Sequence, residues 1–141
     1  MSAESQSVER GILDTSTVVL LELLSDSGAL PREPMITAVT LAELAVGPLV
    51  ARHADERARR QAHLQQAEAD FVALPFDAEA ARAFGSVATS LRSGGRKVAA
   101  RGYDALIAAI AIANDLPLYT CNPDDFEGID RLKVVPVAVP Q

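Results

Sequence analysis

Cysteine is almost missing from this sequence: Cys121 stands alone among 141 residues. One thiol cannot close an internal bridge, which excludes the disulfide-stapled secreted class and points to a reducing compartment. Long apolar runs are missing too. The longest, Ala105 to Ala113, falls well short of the ~20 residues that a spanning helix needs. The opening stretch MSAESQSVERG is polar and lacks the basic-then-apolar order of a signal peptide, so a cytoplasmic protein with no membrane attachment is expected. There is no GxxxxGK followed by Ser or Thr and no GxGxxG, hence no glycine-rich phosphate cradle. His53 and His63 are the only 2 histidines. Their separation turns them off a common helix face, which excludes an HxxxH-type metal pair and makes both solvated surface residues. Basic charge is also in short supply. Lys and Arg number 13 against 19 Asp and Glu, a formal charge of −6, which by itself argues against a broad electrostatic nucleic-acid binder.

What is present is an ordinary globular balance, 49% hydrophobic and 23% charged, in a length that suits one domain. No repeat or glycine-serine linker divides it. Residues 1–10 read as a mobile extension and residues 11–141 as the single folded unit. Short apolar runs alternate with helical stretches. Strands are predicted at Gly11–Leu13, Met35–Thr37, Phe71–Leu74, Leu116–Thr120 and Lys133–Val137. Helices are predicted at Val18–Leu24 and at Leu41–Val46, the latter interrupted at Gly47-Pro48. Three more are predicted over 49–70, 78–92 with Asp77 as cap, and Ala105–Ala113. Nearly all-apolar strands between helices predict an α/β fold with a parallel sheet covered on both faces. In such sheets ligands bind beyond the carboxyl ends of the strands.

That rule singles out a set of acids. Asp14 ends the first strand, Glu43 lies in the first turn after the second, Asp104 enters the most apolar helix, and Asn122, Asp124 and Asp125 follow the fourth strand. A doubly wound sheet brings all of them to one edge. Carboxylates gathered in one pocket raise each other's pKa, and a divalent cation with a preference for oxygen, Mg²⁺ or Mn²⁺, removes that repulsion. The chemistry that follows is metal-assisted phosphodiester hydrolysis. Each acid also has a purely structural reading. Asp14 suits an N-cap, Thr40 to Glu43 fits the capping box, Asp104 suits a helix start, and Asp124 and Asp125 suit a turn after Pro123. Residue type and spacing leave both readings open.

Four segments in order carry a resemblance: Ile12-Leu13-Asp14-Thr15-Ser16, Ile36 through Leu44, Tyr103-Asp104-Ala105-Leu106-Ile107-Ala108-Ala109-Ile110-Ala111, and Tyr119-Thr120-Cys121-Asn122-Pro123-Asp124-Asp125-Phe126. In order, spacing and total length the chain resembles the PIN-domain ribonucleases, and among them the VapC toxins of toxin–antitoxin pairs. The resemblance implies a three-layer α/β/α fold with a five-stranded parallel sheet in the order 3-2-1-4-5. It implies an endoribonuclease dependent on Mg²⁺ or Mn²⁺, a homodimer, a VapB-type antitoxin as partner, and tRNA or ribosomal RNA as substrate. Carried over by position, Asp14 and Asp104 are the principal metal ligands and Glu43 the third acid. Ser16 and Thr120 are the supporting hydroxyls. Asn122 stands where some relatives have Asp, and Asp125 matches the acid before Phe126, which makes it the implied fourth acid.

Arg92, Arg96, Lys97 and Arg101 precede Asp104 and are candidates for gripping RNA at the rim, against a reading as a solvated loop. Tyr103 is a candidate for stacking on a base. Cys121 reads as a small packed thiol. Phe71, Phe76 and Phe84 are expected in the core, and the apolar excess of Val18–Leu24 is expected to serve a dimer interface. Two other functions compete. A phosphatase of the haloacid dehalogenase type also starts from an acid after strand one, but it wants a second Asp where this chain has Ser16. A non-catalytic PIN-like module that binds RNA or a protein would gain nothing from keeping like charges together.

Overall fold

The computed structural model describes residues 9–24 and 28–140. Five strands form one parallel sheet: β1 (Arg10–Leu13), β2 (Glu33–Thr37), β3 (Ala73–Leu74), β4 (Leu118–Thr120) and β5 (Val134–Pro136). Their order is 3-2-1-4-5. The first strand is central, with Ile12 opposite Met35 of β2 on one side and Leu118 of β4 on the other. All strands therefore end at one rim, where Asp14 follows Leu13 and Cys121 follows Thr120.

Among the described residues six α-helices cover the sheet: α1 (Thr15–Val19), α2 (Leu21–Leu24), α3 (Ala38–Val50), α4 (Ala54–Asp70), α5 (Ala78–Ser93) and α6 (Gly102–Ala113). Alternation along the strands splits the core in two. Ile12 and Leu118 face a cluster built from α5 and α6, with Val87, Leu91, Ile107, Ala108 and Phe126. Leu13, Ile36 and Tyr119 face the opposite layer, with Val18, Leu24, Leu44 and Ala67. Helix α6 is buried on nearly every side: Ala105 and the whole run from Ile107 to Ala111 are at 0% exposure. Its many alanines let it lie close against the sheet, and its chain leads back into β4, so its first turn stands at the strand-end rim.

Several expectations change. Of the extension expected over residues 1–10, residues 1–8 lie outside the described residues, while Arg10 opens β1 opposite Glu33. The helix predicted over Val18–Leu24 starts earlier and is two short helices, because Asp14 caps α1 and the turn breaks at Leu20. The sequence also offers Ser27-Gly28 as the stop of that helix, and Ser27 lies outside the described residues. Pro48 does not interrupt α3. It sits in the last turn, so its missing N–H forfeits a single helical bond, and the carbonyls left open at the helix end find donors elsewhere. Arg60 Nη1 donates to the Gly47 carbonyl at 2.9 Å and Arg57 Nε to the Pro48 carbonyl at 3.4 Å. The long helix predicted from residue 49 begins instead at Ala54, since Ala51 and His53 are extended. The third, fourth and fifth strands are shorter than predicted, the third only Ala73–Leu74. Of the three phenylalanines expected in the core, Phe71 and Phe84 are half-buried and Phe76 is exposed, packing edge-on against Phe84 at 6.4 Å. The fully buried aromatic is Phe126.

Candidate active site

Asp14 lies directly beyond β1, and its backbone N–H still reaches the Tyr119 carbonyl of β4 at 3.2 Å. The residue is 3% exposed, and its carboxylate is well supplied with donors. Thr17 donates through its backbone N–H at 3.1 Å and its hydroxyl at 2.6 Å, both to Oδ1. Thr120 Oγ1 donates to Oδ2 at 2.8 Å. Ser16 Oγ reaches both oxygens, at 3.1 and 2.9 Å. The capping reading and the site reading of Asp14 are thus compatible. One oxygen caps α1, and the set of hydroxyls pins the charge at the rim with its orientation fixed.

Glu43 is not part of a capping box. The cap of α3 is Thr37, whose hydroxyl accepts from Thr40 N–H at 3.2 Å. That moves the helix start three residues earlier and frees Glu43 to project from the second turn. Thr15 Oγ1 donates to Glu43 Oε1 at 2.6 Å and lies 3.0 Å from Thr40 Oγ1. Burial raises the Glu43 pKa; the Thr15 bond pulls it down and the Asp14 charge pushes it up.

Asp104 is not a helix cap either. Arg101 occupies that position, and Asp104 stands in the first turn of α6. Its pKa is raised to about 6, first by burial and then by the charges of Asp125, Glu43 and Asp14, with Arg101 opposing them. Asp104 is therefore within electrostatic reach of three other acids from separate stretches of chain, and Glu43 within reach of Asp14. Asp125 lies in the 3-10 turn Pro123–Phe126 and takes an ion pair from Arg101 at 2.8 Å.

A cleft of about 610 Å³ opens on this edge, with Glu43, Asp104, Arg101 and Tyr103 facing it and Phe84 and Leu106 among its apolar walls. Tyr103 is 52% exposed there. Of the four basic residues expected at the rim, Arg101 alone lines this cleft. Arg96 pairs with Glu127 at 3.4 Å and reaches the Asp124 carbonyl. Arg92 and Lys97 are exposed and are not among its lining residues. Asn122 is exposed and starts the 3-10 turn without a side-chain cap. Its backbone N–H donates to Thr120 Oγ1 at 2.9 Å. Cys121 is half-buried, its Sγ 3.6 Å from Thr17 Oγ1. His53 is exposed, but His63 is half-buried and lines a second cleft, against its expected place on a solvated face. In the sequence, Thr15 and Thr17 are legible only as helix-capping hydroxyls. The run of three hydroxyl residues directly after Asp14 is the available signal for a carboxylate in need of donors.

The donor chemistry fits an oxygen-seeking divalent cation. The converging side chains are carboxylates, the oxygen donors that such a cation takes. Among the described residues no group of three or more His, Cys, Asp and Glu side chains is arranged to hold a metal ion. A small cation that keeps several waters and takes only one or two carboxylates directly needs no such set.

The family model described as PIN domain matches residues 12–132. The chain is similar to Ribonuclease VapC5 of Mycobacterium tuberculosis, 41% identical over 122 residues that span 85% of this chain and 87% of that one. Ribonuclease VapC of Rickettsia bellii is 30% identical over 131 residues, 89% of this chain and 95% of that one. The structure of VapBC-5, a member of the VapBC family of toxin–antitoxin systems from M. tuberculosis, matches with a TM-score of 0.77 and 37% identity, covering 91% of this chain and 98% of that one. The chain belongs to the PIN-domain family and, within it, to the VapC ribonucleases. Among the described residues no helix is long and apolar enough to cross a membrane.

Proposed function

We propose that the chain is an Mg²⁺-dependent endoribonuclease, with Mn²⁺ as a substitute, that acts as the toxin of a VapBC pair and cuts tRNA or ribosomal RNA. The observation that carries this reading is the gathering of Asp14, Glu43, Asp104 and Asp125 at the strand-end rim, where burial first and then the charges of the other three acids raise the Asp104 pKa to about 6. Asp14 and Asp104 would be the principal ligands of the cation, Glu43 would hold it through a bound water or directly, and Asp125 stands beside them. When bound, the cation supplies a nucleophilic water of lowered pKa and a counter-charge for the phosphate. The chain's own residues do the positioning. Ser16, Thr17 and Thr120 fix the Asp14 carboxylate, and Thr15 fixes Glu43. Arg101 lines the same cleft with its Nη1 paired to Asp125, and its remaining guanidinium N–H groups can reach a phosphate. Tyr103 presents an exposed ring on which a base can stack.

The names of the relatives support nuclease activity, and the VapBC-5 match supports a VapB-type antitoxin as partner. A homodimer belongs to the same reading, with exposed Val19 and Leu23 on α1 and α2 as its apolar contacts. The phosphatase alternative loses ground at Asp14 itself. Ser16 stands where that chemistry needs a second acid, and a carboxylate so buried and so fully hydrogen-bonded is a poor nucleophile. The test is RNA cleavage by the purified chain with Mg²⁺. Asp14→Asn and Asp104→Asn are each expected to abolish it while leaving the fold intact. Full cleavage by both variants overturns the assignment, and phosphate release from small esters with RNA left intact establishes the phosphatase instead.

A further inference from the structure

Glu43 borders two clefts. Beside the one that holds Asp104 lies a second, of about 500 Å³, between α3 and α4, with Leu44 and Gly47 on one wall, Glu56, Arg59, Arg60 and His63 on the other, and Val19 of α1 at its edge. The three cationic or N–H-bearing side chains are not equivalent. Arg60 is committed, at 2.7 Å from Glu56 and 2.9 Å from the Gly47 carbonyl, and it holds α4 against α3. Arg59 has no ion-pair partner among the described residues. His63 lies four residues further on, on the same helix face as Arg59. In a chain of net charge −6, an uncommitted guanidinium and an imidazole therefore line a cleft that ends at an active-site carboxylate.

We propose that this second cleft is a phosphate subsite, in which Arg59 and His63 bind the backbone of the RNA strand beyond the nucleotide being cut. The proposal rests on the ribonuclease reading and extends it. A strand whose scissile phosphate sits beside Glu43 and Asp104 continues past Glu43, and the cleft on that side offers donors in the fork geometry a phosphodiester accepts. Phosphate contacts of this kind set register and affinity without reading sequence.

The experiment compares the wild-type chain with Arg59→Gln and with the Arg59→Gln/His63→Gln double variant, on a long single-stranded RNA and on a trinucleotide spanning the same cleavage point. Metal-free binding of the long RNA is followed across salt concentration. The double variant is expected to bind the long RNA about tenfold more weakly, as for the loss of a charge-assisted hydrogen bond. Its salt slope should fall by about one, and the kcat/KM advantage of long RNA over trinucleotide should shrink about tenfold. Arg59 is exposed, so the single variant keeps the test alive if the double one folds poorly. An unchanged slope and an unchanged length advantage overturn the subsite while leaving the ribonuclease standing. Variants that keep RNA affinity but lose a coexpressed VapB-type antitoxin make the cleft a protein groove and also overturn it. A wild-type chain that neither binds nor cuts RNA removes the ribonuclease reading itself.

Discussion

Thr120 on β4 donates its hydroxyl to Asp14 Oδ2 across 2.8 Å, a bond between residues 106 apart in sequence. It is made where two adjacent strands end together, and it makes the position of the acid depend on the sheet and not only on the local turn. The same oxygen of Thr120 accepts from Asn122 N–H at 2.9 Å. Thr120→Val keeps the shape and removes both bonds. It is expected to cost about 1–3 kcal/mol, the range for a buried polar group left without its partner, with an unchanged denaturant slope in urea unfolding. RNA cleavage should fall with it, since a carboxylate that loses one anchor no longer holds its geometry. Thr120→Ser, which restores the hydroxyl, is expected to recover most of the activity; a Ser variant no better than Val shows that the bond does not position Asp14.

Asp104 makes the site a source of pH-dependent instability. Its carboxyl is raised from 3.8 to about 6 in the fold, so between about pH 4 and pH 6 the folded chain binds more protons than the unfolded one. Stability from this group is full below about pH 4 and is lost as pH rises through about 6. The raised Glu43 carboxyl adds to the loss in the same direction. Asp104→Asn is therefore expected to flatten the melting temperature over this interval and to melt above the parent at neutral pH, even as it loses cleavage. Mg²⁺ added to the wild-type chain near pH 6 should release more protons than near pH 8. An Asn variant that melts below the parent at neutral pH contradicts the repulsion inferred at the rim.

Gly11 is in β1 because Tyr119 leaves no room for a side chain there. A Cβ at this position would fall 2.4 and 2.6 Å from two ring carbons of Tyr119. The ring is held in place from the far end by its hydroxyl, which donates to Glu9. Burial and that bond push the phenol up to about 12. Gly11→Ala is expected to destabilise by about 1–3 kcal/mol through overpacking, measured by chemical unfolding. Gly11→Ala combined with Tyr119→Leu should cost less than the sum of the two single changes. Strict additivity in that cycle rules out the clash as the cause.

How much of this was legible in the sequence varies by element. The apolar runs ending at Leu13 and Thr120, and the apolar helix before Asn114, are long enough in pattern to be read directly. The acids beyond them could be named as a set because parallel strands share one ligand edge. What failed was anything decided by a partner distant in sequence. Pro48 looked like a break, and only the Arg57 and Arg60 side chains from the next helix show why the last turn of α3 closes around it. Glu43 fitted a local capping box, and only the earlier start of α3 at Thr37 released it toward Thr15. The basic run before Asp104 looked like one patch, yet ion pairs with Glu127 and Asp125 occupy Arg96 and Arg101, and Arg101 alone faces the cleft.

The amino-acid order determined the alternation of strands and helices, the apolar faces that make a covered parallel sheet, and the presence of acids where strands stop, because these follow from local periodicity and residue chemistry. Tertiary packing decided how those acids behave. Burial beside one another moved Asp104 to about 6, a ring of hydroxyls immobilised Asp14, and the meeting of α3 with α4 put Arg59 and His63 beside Glu43. These are properties of distance and of exclusion of water, and neither exists until the chain has closed on itself.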